Sequence, residues 1–146
     1  MIFKLIIDKE CEESICATVH ERTPLIDEVE HLVSQDDAPD TVVGYEEDTI
    51  AVVRIADVEL FFVENDKVYA HCGDKKVYRI KKTLSEIERL VPNDFVRISK
   101  SGIANWAKVS KMNVQLSGAV NVIFKSGYSD YISRRCFADI KRRYKL

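Results

Sequence analysis

The feature that most limits how this chain can fold is a series of short, apolar, β-prone stretches from Thr49 onward. Pairs of residues that tolerate positive φ, which tight two-residue turns require, separate many of these stretches. The pairs are Asn65-Asp66, Gly73-Asp74, Ser117-Gly118 and Ser126-Gly127, and the stretches are IAVVRI, VELFFVE, KVYAHC, KVYRI, FVRI, WAKVSKMNV, AVNVIF and YSDYI. The pattern predicts a mainly β fold of small antiparallel sheets connected by hairpins.

Two short helices are predicted within this part of the chain. The first covers Leu84–Val91, begins after the N-cap residue Thr83 and stops at Pro92. The second runs from Ser133 to about Tyr144. Its packing face consists of Phe137, Ile140 and Tyr144. We therefore expect an α+β domain in which β-structure dominates.

The first 47 residues are predicted to form a separate segment. Ile2–Ile7 is apolar enough for a strand, Ser14–His20 favours a second strand, and Pro24–Ser34 favours a helix that Thr23 would cap. A short ββα segment of residues 1–47 would thus precede a β-rich domain of residues 48–146. Because the segment is small and acidic, we assign it to packing, dimerisation or contact with a partner protein.

Acidic and basic residues are segregated along the chain, although the net charge is only −2. Residues 1–49 contain 3 basic and 14 acidic residues, whereas residues 50–146 contain 19 basic and 10 acidic residues. From Lys75 onward the balance is 17 basic against 5 acidic residues. Because polyphosphate backbones are bound chiefly through clustered Lys and Arg, this asymmetry indicates a nucleic-acid partner. A solvated basic surface is the simpler alternative.

The sequence gives no sign of a membrane protein, a metal site or an enzyme. No apolar run approaches the ~20 residues that span a bilayer, and the first residues do not resemble a signal peptide, so we expect a cytoplasmic protein. The four cysteines and three histidines show no metal-ligand spacing, and no catalytic motif is recognisable. We expect no cofactor, no small-molecule substrate and no catalytic activity. We expect mostly buried, free thiols, with His71 and Cys72 on opposite faces of a strand.

Two segments carry the candidate contact residues. Arg134 and Arg135 follow the predicted N-cap Ser133, where the helix dipole is already positive and acidic residues are preferred. A position that is unfavourable for the helix but favourable for an anion suggests binding to phosphate or to a guanine edge. Solvated arginines without a function are the alternative.

The second segment, Phe95–Val109, starts as a strand and is then predicted to be a presented loop. Its donors suited to phosphate oxygens are Ser99, Lys100 and Ser101. Asn105 has two interpretations, since it could bond a base or phosphate, or could bond backbone in a bend.

Three stretches in the same order resemble the LytTR-type DNA-binding domain found in many bacterial response regulators. VELFFVENDKVYAHC is similar to the family's opening hairpin, KKTLSEIERLVPNDFVRISKSGIAN to its central helix and F-R-x-x-x-S-x-x-x-N segment, and YISRRCFADIKRRY to its closing strand and helix. The resemblance covers roughly residues 48–146. It implies small antiparallel sheets whose loops enter successive major grooves of double-stranded DNA.

By motif matching, the resemblance places DNA contacts at Arg134 or Arg135, at Lys100 and at the turn of Asn65 to Lys67. Arg97, Ser101 and Asn105 occupy the lettered positions of the central segment. Fewer than fifty residues precede the domain, so we expect a stand-alone family member without a receiver domain, a transcription regulator. The resemblance further implies a homodimer, and a small membrane protein as a possible regulating partner. The main alternative is an RNA-binding or protein-interaction β module, which would expose clustered aromatic side chains on a sheet if it bound single strands.

Overall fold

Ten strands and three α-helices are present in the residues that the computed structural model describes, which are 2–12, 14–35 and 39–146. The chain divides into two compact units, Met1–Asp36 and Asp37–Leu146. The strands are antiparallel and all lie in the second unit, together with two short helices. The predicted fold class is therefore confirmed.

The first unit contains one helix, α1 (Pro24–Gln35), as predicted. Its first turn is closed by the Thr23 carbonyl, which accepts from the Ile26 and Asp27 N–H groups at 2.9 and 3.1 Å. The strands predicted at Ile2–Ile7 and Ser14–His20 are wrong, because their described residues form no strand. A strand persists only where a neighbour completes its backbone hydrogen bonds, and apolar composition alone supplies no such neighbour.

A seven-stranded antiparallel sheet dominates the second unit. Its strands are β1 (Thr41–Glu46), β2 (Thr49–Arg54), β3 (Val58–Glu64), β4 (Lys67–Cys72), β5 (Val77–Ile80), β6 (Phe95–Ser99) and β7 (Gly102–Asn105). Their order in the sheet is β2-β1-β5-β4-β3-β7-β6. Helix α2 (Leu84–Leu90) lies between β5 and β6 in the chain and begins as predicted, because the Thr83 hydroxyl accepts from the Glu86 N–H at 3.1 Å.

A second, three-stranded sheet has the order β10-β9-β8 and leads into the last helix. It consists of β8 (Val109–Val114), β9 (Val120–Phe124) and β10 (Ser129–Ile132), and α3 (Arg134–Tyr144) follows directly. Ile140 of α3 is buried, and Phe137 and Tyr144 pack beside it. The predicted packing face of this helix is confirmed.

Two hydrophobic cores lie on opposite faces of the seven-stranded sheet. Phe61 belongs to the first core, which α2 covers with Leu84 and Ile87. Leu60 belongs to the second core, which contains Val122 of β9 and the packing face of α3. Because neighbouring residues of β3 enter different cores, β3 is buried on both faces.

The predicted hairpin turns form. In one of them, the residue with positive φ differs from the predicted one. Asn65 and Asp66 have φ values of 50° and 62°, as a two-residue type I′ turn requires, and Gly118 and Gly127 have φ values of 85° and 94°. In the β4–β5 turn, by contrast, Lys75 takes the left-handed conformation with φ 69°, rather than Gly73 or Asp74.

Two strands were not predicted from the sequence. β1 pairs with β2 and β5, so the sheet includes residues before the predicted boundary at 47/48, and the compact unit begins at Asp37. The presented loop predicted after β6 is wrong where β7 forms, because Gly102–Asn105 pairs with both β3 and β6. The four residues of β7 are buried, and this pairing on both sides compensates for their shortness.

Asn105 has a structural role. The side chain is 2% exposed, its Nδ2 donates to the Val58 carbonyl at 2.9 Å, and its Oδ1 accepts from the Ala107 N–H at 3.2 Å. Of its two interpretations, the structure supports backbone bonding, because the buried side chain is bonded to the backbone of two other residues.

We expect Asn105→Ala to lower the free energy of unfolding by about 1–3 kcal/mol, because the buried Val58 carbonyl would lose its partner. Urea unfolding followed by circular dichroism measures this change. Asn113→Ala, at an exposed position of β8, is the matched control and should stay within about 0.5 kcal/mol of the native protein. Equal effects of the two substitutions would contradict the role given to Asn105.

The start of α3 is capped but carries the wrong charge for its dipole. The Ser133 hydroxyl accepts from the Cys136 N–H at 3.2 Å, as expected of an N-cap. Arg134 and Arg135 occupy the first two helical positions, and both are exposed. Positive charge there opposes the partial positive charge of the helix N-terminus, so these arginines reduce the stability of the helix.

We therefore expect Arg135→Glu to raise the free energy of unfolding by about 0.3–1 kcal/mol at low ionic strength. Arg142→Glu, in the last turn of the same helix, should lower it, because basic residues are favourable at a helix C-terminus and Arg142 is paired with Asp139. Urea midpoints of both variants test the signs. A shift of both midpoints in the same direction would rule out the dipole as the cause.

Candidate nucleic-acid interface

Two turns that carry predicted contact residues lie at the same end of the seven-stranded sheet. Phe62 is opposite Gly102 in the β3–β7 pair, and the Val63 N–H donates to the Ser101 carbonyl at 2.9 Å. The β3–β4 turn, followed by Lys67, is therefore next to the β6–β7 turn, which contains Lys100. Both lysine side chains are exposed.

The start of α3 is held at this end by a further backbone hydrogen bond. The Ser133 N–H donates to the Ile98 carbonyl of β6 at 2.8 Å, two residues before Lys100. Arg134 and Arg135 follow immediately. Three segments that are far apart in the sequence thus bring Lys67, Lys100, Arg134 and Arg135 to one end of the domain, which we call the basic end.

The four side chains of the basic end are available to an anion. They are exposed, and none of them forms an ion pair with a residue that the structure describes. Glu64 and Asp66 lie beside Lys67 in the β3–β4 turn and are also exposed, so the attraction for phosphate is weakest there. The two arginines and Lys100 have no acidic residue within two positions in the chain.

Two further lysines lie beside the basic end and were not singled out in the sequence. Val68 is opposite Ile80 in the β4–β5 pair, so Lys81 and Lys82, which follow β5, are next to Lys67. Both lysines are exposed, and the Lys81 ammonium lies 4.2 Å from the centre of the Tyr45 ring. The pair of lysines directly before the Thr83 cap was the available sequence signal.

Arg97 points away from the basic arginines. Its Nη2 lies 3.7 Å from Glu88 Oε2 of α2, and its Nη1 is buried and has no hydrogen-bond partner among the described residues. Because α2 covers the first core and α3 covers the second, Arg97 is directed to the opposite face of the sheet from Arg134. The predicted DNA contact at Arg97 is therefore not part of the basic end.

The two serines of the β6–β7 turn serve mainly to shape it. Ser99 is 2% exposed, and its hydroxyl accepts from the Ser101 N–H at 3.2 Å. The Ser101 carbonyl accepts a hydrogen bond from the Val63 N–H of β3, and the Ser101 side chain is half-buried. Between them, Lys100 is the exposed residue of the turn. We therefore omit Ser99 from the candidate interface and treat Ser101 as a residue that positions Lys100.

A buried Glu–His pair resembles an acid–base arrangement. His71 Nδ1 lies 3.4 Å from Glu59 Oε1, and neither side chain is more than 7% exposed. Glu59 accepts hydrogen bonds from the N–H and the hydroxyl of Ser126, and the His71 ring stacks on Tyr128 with ring centres 4.0 Å apart. These contacts fasten the β9–β10 turn to β3 and β4, and they are internal to the protein.

The cysteines do not form a reactive centre with these residues. Burial, together with nearby carboxylates, raises the pKa of Cys72 to about 11, so its thiol stays protonated at neutral pH. Cys72 lies in the first core while His71 packs against Tyr128 of the second, so the predicted opposite orientation is confirmed. Cys11 and Cys16 are exposed, contrary to the prediction of mostly buried thiols.

Within the described ranges, no cluster of three His, Cys, Asp or Glu side chains could hold a metal ion. None of the helices in the same ranges is both long and apolar enough to cross a bilayer.

Comparison with known proteins gives the relationships of the chain. Residues 48–145 match the LytTr DNA-binding domain. An uncharacterized HTH-type transcriptional regulator of Staphylococcus aureus (strain MSSA476) is 30% identical over 138 residues, which are 94% of this chain and 93% of the relative. A protein of the same description from strain NCTC 8325 is 34% identical over 110 residues, 75% of this chain and 74% of the relative.

Among solved structures, the LytTr DNA-binding domain from Bacillus cereus superposes with a TM-score of 0.70 at 18% identity. The match covers 75% of this chain and all of the other. Sequence and fold agree with the resemblance drawn from the three motifs, and the chain belongs to the LytTR DNA-binding domain family.

Proposed function

We propose that the protein is a transcription regulator that binds specific sites on double-stranded DNA through its basic end. The observation that carries this proposal is the convergence of exposed cations from three separate segments. The hydrogen bonds from Val63 to Ser101 and from Ser133 to Ile98 fix that convergence. The relatives from Staphylococcus aureus, named as transcriptional regulators, support the same role.

The two kinds of cation at the basic end have different tasks in this proposal. Lys67 and Lys100, together with Lys82 beside the basic end, are flexible point charges that bind phosphate oxygens and set the position of the protein on the duplex. Arg134 and Arg135 combine planar guanidinium groups with a helix N-terminus, a combination suited to a guanine edge in the major groove. The stability lost at the start of α3 is then the cost of placing these groups at the DNA.

Two copies acting together would supply the specificity that one small domain lacks. A few loop side chains contact few bases, whereas a homodimer on two half-sites approximately multiplies the discrimination. The protein accordingly acts as a homodimer in this proposal. The acidic segment of residues 1–47 and the small membrane protein are the proposed routes by which a signal reaches the domain.

Selection from a pool of random duplex DNA at near-physiological, fixed salt should enrich a two-part motif, and changing both Arg134 and Arg135 to Ala should abolish the enrichment. A duplicate selection with single-stranded RNA tests the alternative partner. Enrichment from RNA, with none from duplex DNA, would overturn the proposal.

On an enriched site, Arg135→Ala should weaken binding by about 1–3 kcal/mol and should have little effect on random DNA. Lys100→Ala should weaken specific and random DNA more evenly and reduce the slope of log K against log salt by about 1. Fluorescence anisotropy titrations at several salt concentrations separate the two effects.

Arg142→Ala is the matched control for these titrations, because Arg142 lies in the last turn of the same helix and is paired with Asp139. It should change neither the affinity nor the salt slope appreciably. If Arg135→Ala lowers the affinity for specific and random DNA equally, Arg135 does not contact a base.

A further inference from the structure

The two edges of the seven-stranded sheet differ in how they are covered. At the β6 edge, the Ile98 carbonyl accepts from the Ser133 N–H, and α3 and β10 lie against the strand. At the other edge, β2 has β1 on one side and no strand on its outer side among the described residues. β2 is thus the open edge of the sheet.

The outer side of β2 presents a regular row of backbone donors and acceptors. The Ile55 N–H donates to the Asp40 carbonyl at 2.9 Å and so continues the β1–β2 ladder by one pair. Because inward and outward residues alternate in an antiparallel ladder, the N–H and C=O groups of Ile50, Val52 and Arg54 point away from β1.

β2 lacks the devices that usually protect an open edge. Its sequence, TIAVVR, contains neither proline nor lysine, and its pairing with β1 has no bulge. Ile50 and Val52 are 70% and 75% exposed, and Val43, opposite Val52 on β1, is 46% exposed. These three side chains form an apolar patch on the sheet face away from the first core.

We propose that this edge pairs antiparallel with the same edge of a second copy of the chain, which gives the homodimer named above its interface. A two-fold contact of this kind requires a surface that complements itself. β2 meets that requirement because an acidic turn precedes it and Arg54 ends it. Both Asp48 and Arg54 are exposed, and neither forms an ion pair with a described residue.

The charges select one register. Outward-pointing residues must pair with outward-pointing residues, so only every second register is allowed. With Ala51 at the two-fold axis, Ile50 is opposite Val52 of the second copy, and Asp48 is opposite Arg54 of the second copy. This register places opposite charges at both ends of the contact and apolar side chains at its centre. If one strand moves to the next allowed register, Asp48 is no longer opposite Arg54 of the second copy at either end of the contact.

The proposed interface leaves the basic end accessible. β2 and β6 are the opposite edges of the sheet, and the start of α3 is bound to β6. The contact is short compared with the roughly 1,200–2,000 Å² buried in stable complexes, so the dimer should be weak and in exchange with monomer. Binding of both copies to one DNA site would then favour the paired form by mass action.

Sedimentation equilibrium of the full chain without DNA, at up to about 100 μM, tests this pairing. The native protein should show a monomer–dimer equilibrium. Asp48→Arg and Arg54→Asp should each weaken it by about tenfold or more, because each creates two like-charge pairs across the contact. The double variant, with the two charges exchanged, should restore it.

Glu64→Arg makes a similar charge change at the end of β3 and should leave the dimer unchanged. A purely monomeric native protein, a dimer insensitive to the single variants, or a double variant that stays monomeric would each overturn the proposal. An insensitive dimer would identify another contact, such as one made by the acidic segment. Since no DNA is present, this result is independent of whether the basic end selects a DNA sequence.

Discussion

Burial of β3 on both faces is the constraint on which the rest of the domain depends. Phe61 packs into the core under α2, while Leu60 packs into the core shared with β9 and α3. β3 also pairs on both sides, with β4 and with β7. Its end, and hence the β3–β4 turn, is therefore fixed against the β6–β7 turn. The relative position of Lys67 and Lys100 follows from this packing, and the hydrogen bond from Ser133 to Ile98 of the neighbouring β6 adds Arg134 and Arg135.

The arrangement of the helices differs from the helix-turn-helix that the names of the relatives suggest. In the part of the chain that the structure describes, α2 and α3 are separated by five strands and lie over different cores. No two consecutive helices of the described residues are therefore available to act as a helix-turn-helix. The candidate contacts come instead from two tight turns and the first turn of one helix. Backbone hydrogen bonds from Val63 to Ser101 and from Ser133 to Ile98 hold these segments in place.

The elements that the sequence predicted correctly depend on local chemistry. Thr83 and Ser133 start their helices through hydrogen bonds to residues three positions away, and Asn65-Asp66 sets its turn through backbone conformation alone. The errors concern non-local pairing. GIAN becomes a strand only because β3 and β6 lie on either side of it, and the apolar segment Ile2–Ile7 has no comparable neighbours among the described residues.

The residues of the candidate site were also predictable only where local chemistry identifies them. Arg134, Arg135 and Lys100 could be singled out because a cap or a motif fixed their local setting. At the other predicted positions, burial determines whether the side chain is available to a ligand. Burial depends on the whole fold and cannot be read from the local sequence. Ser99 and Asn105 look like any polar donors in the sequence, yet both are enclosed and bonded to backbone. Arg97 is drawn towards Glu88, which lies nine residues earlier in the chain.

The C-terminal end of α3 is also fixed to the domain by side-chain contacts. Tyr144 stacks on Trp106 with ring centres 4.7 Å apart, and the Arg143 guanidinium donates to the Asn93 side chain at 3.0 Å. Trp106 is the only tryptophan of the chain. Its ultraviolet emission is therefore an intrinsic optical signal for the docking of the helix that carries Arg134 and Arg135. The protein therefore carries its own optical signal for the state of the proposed DNA-contacting helix, without any attached dye.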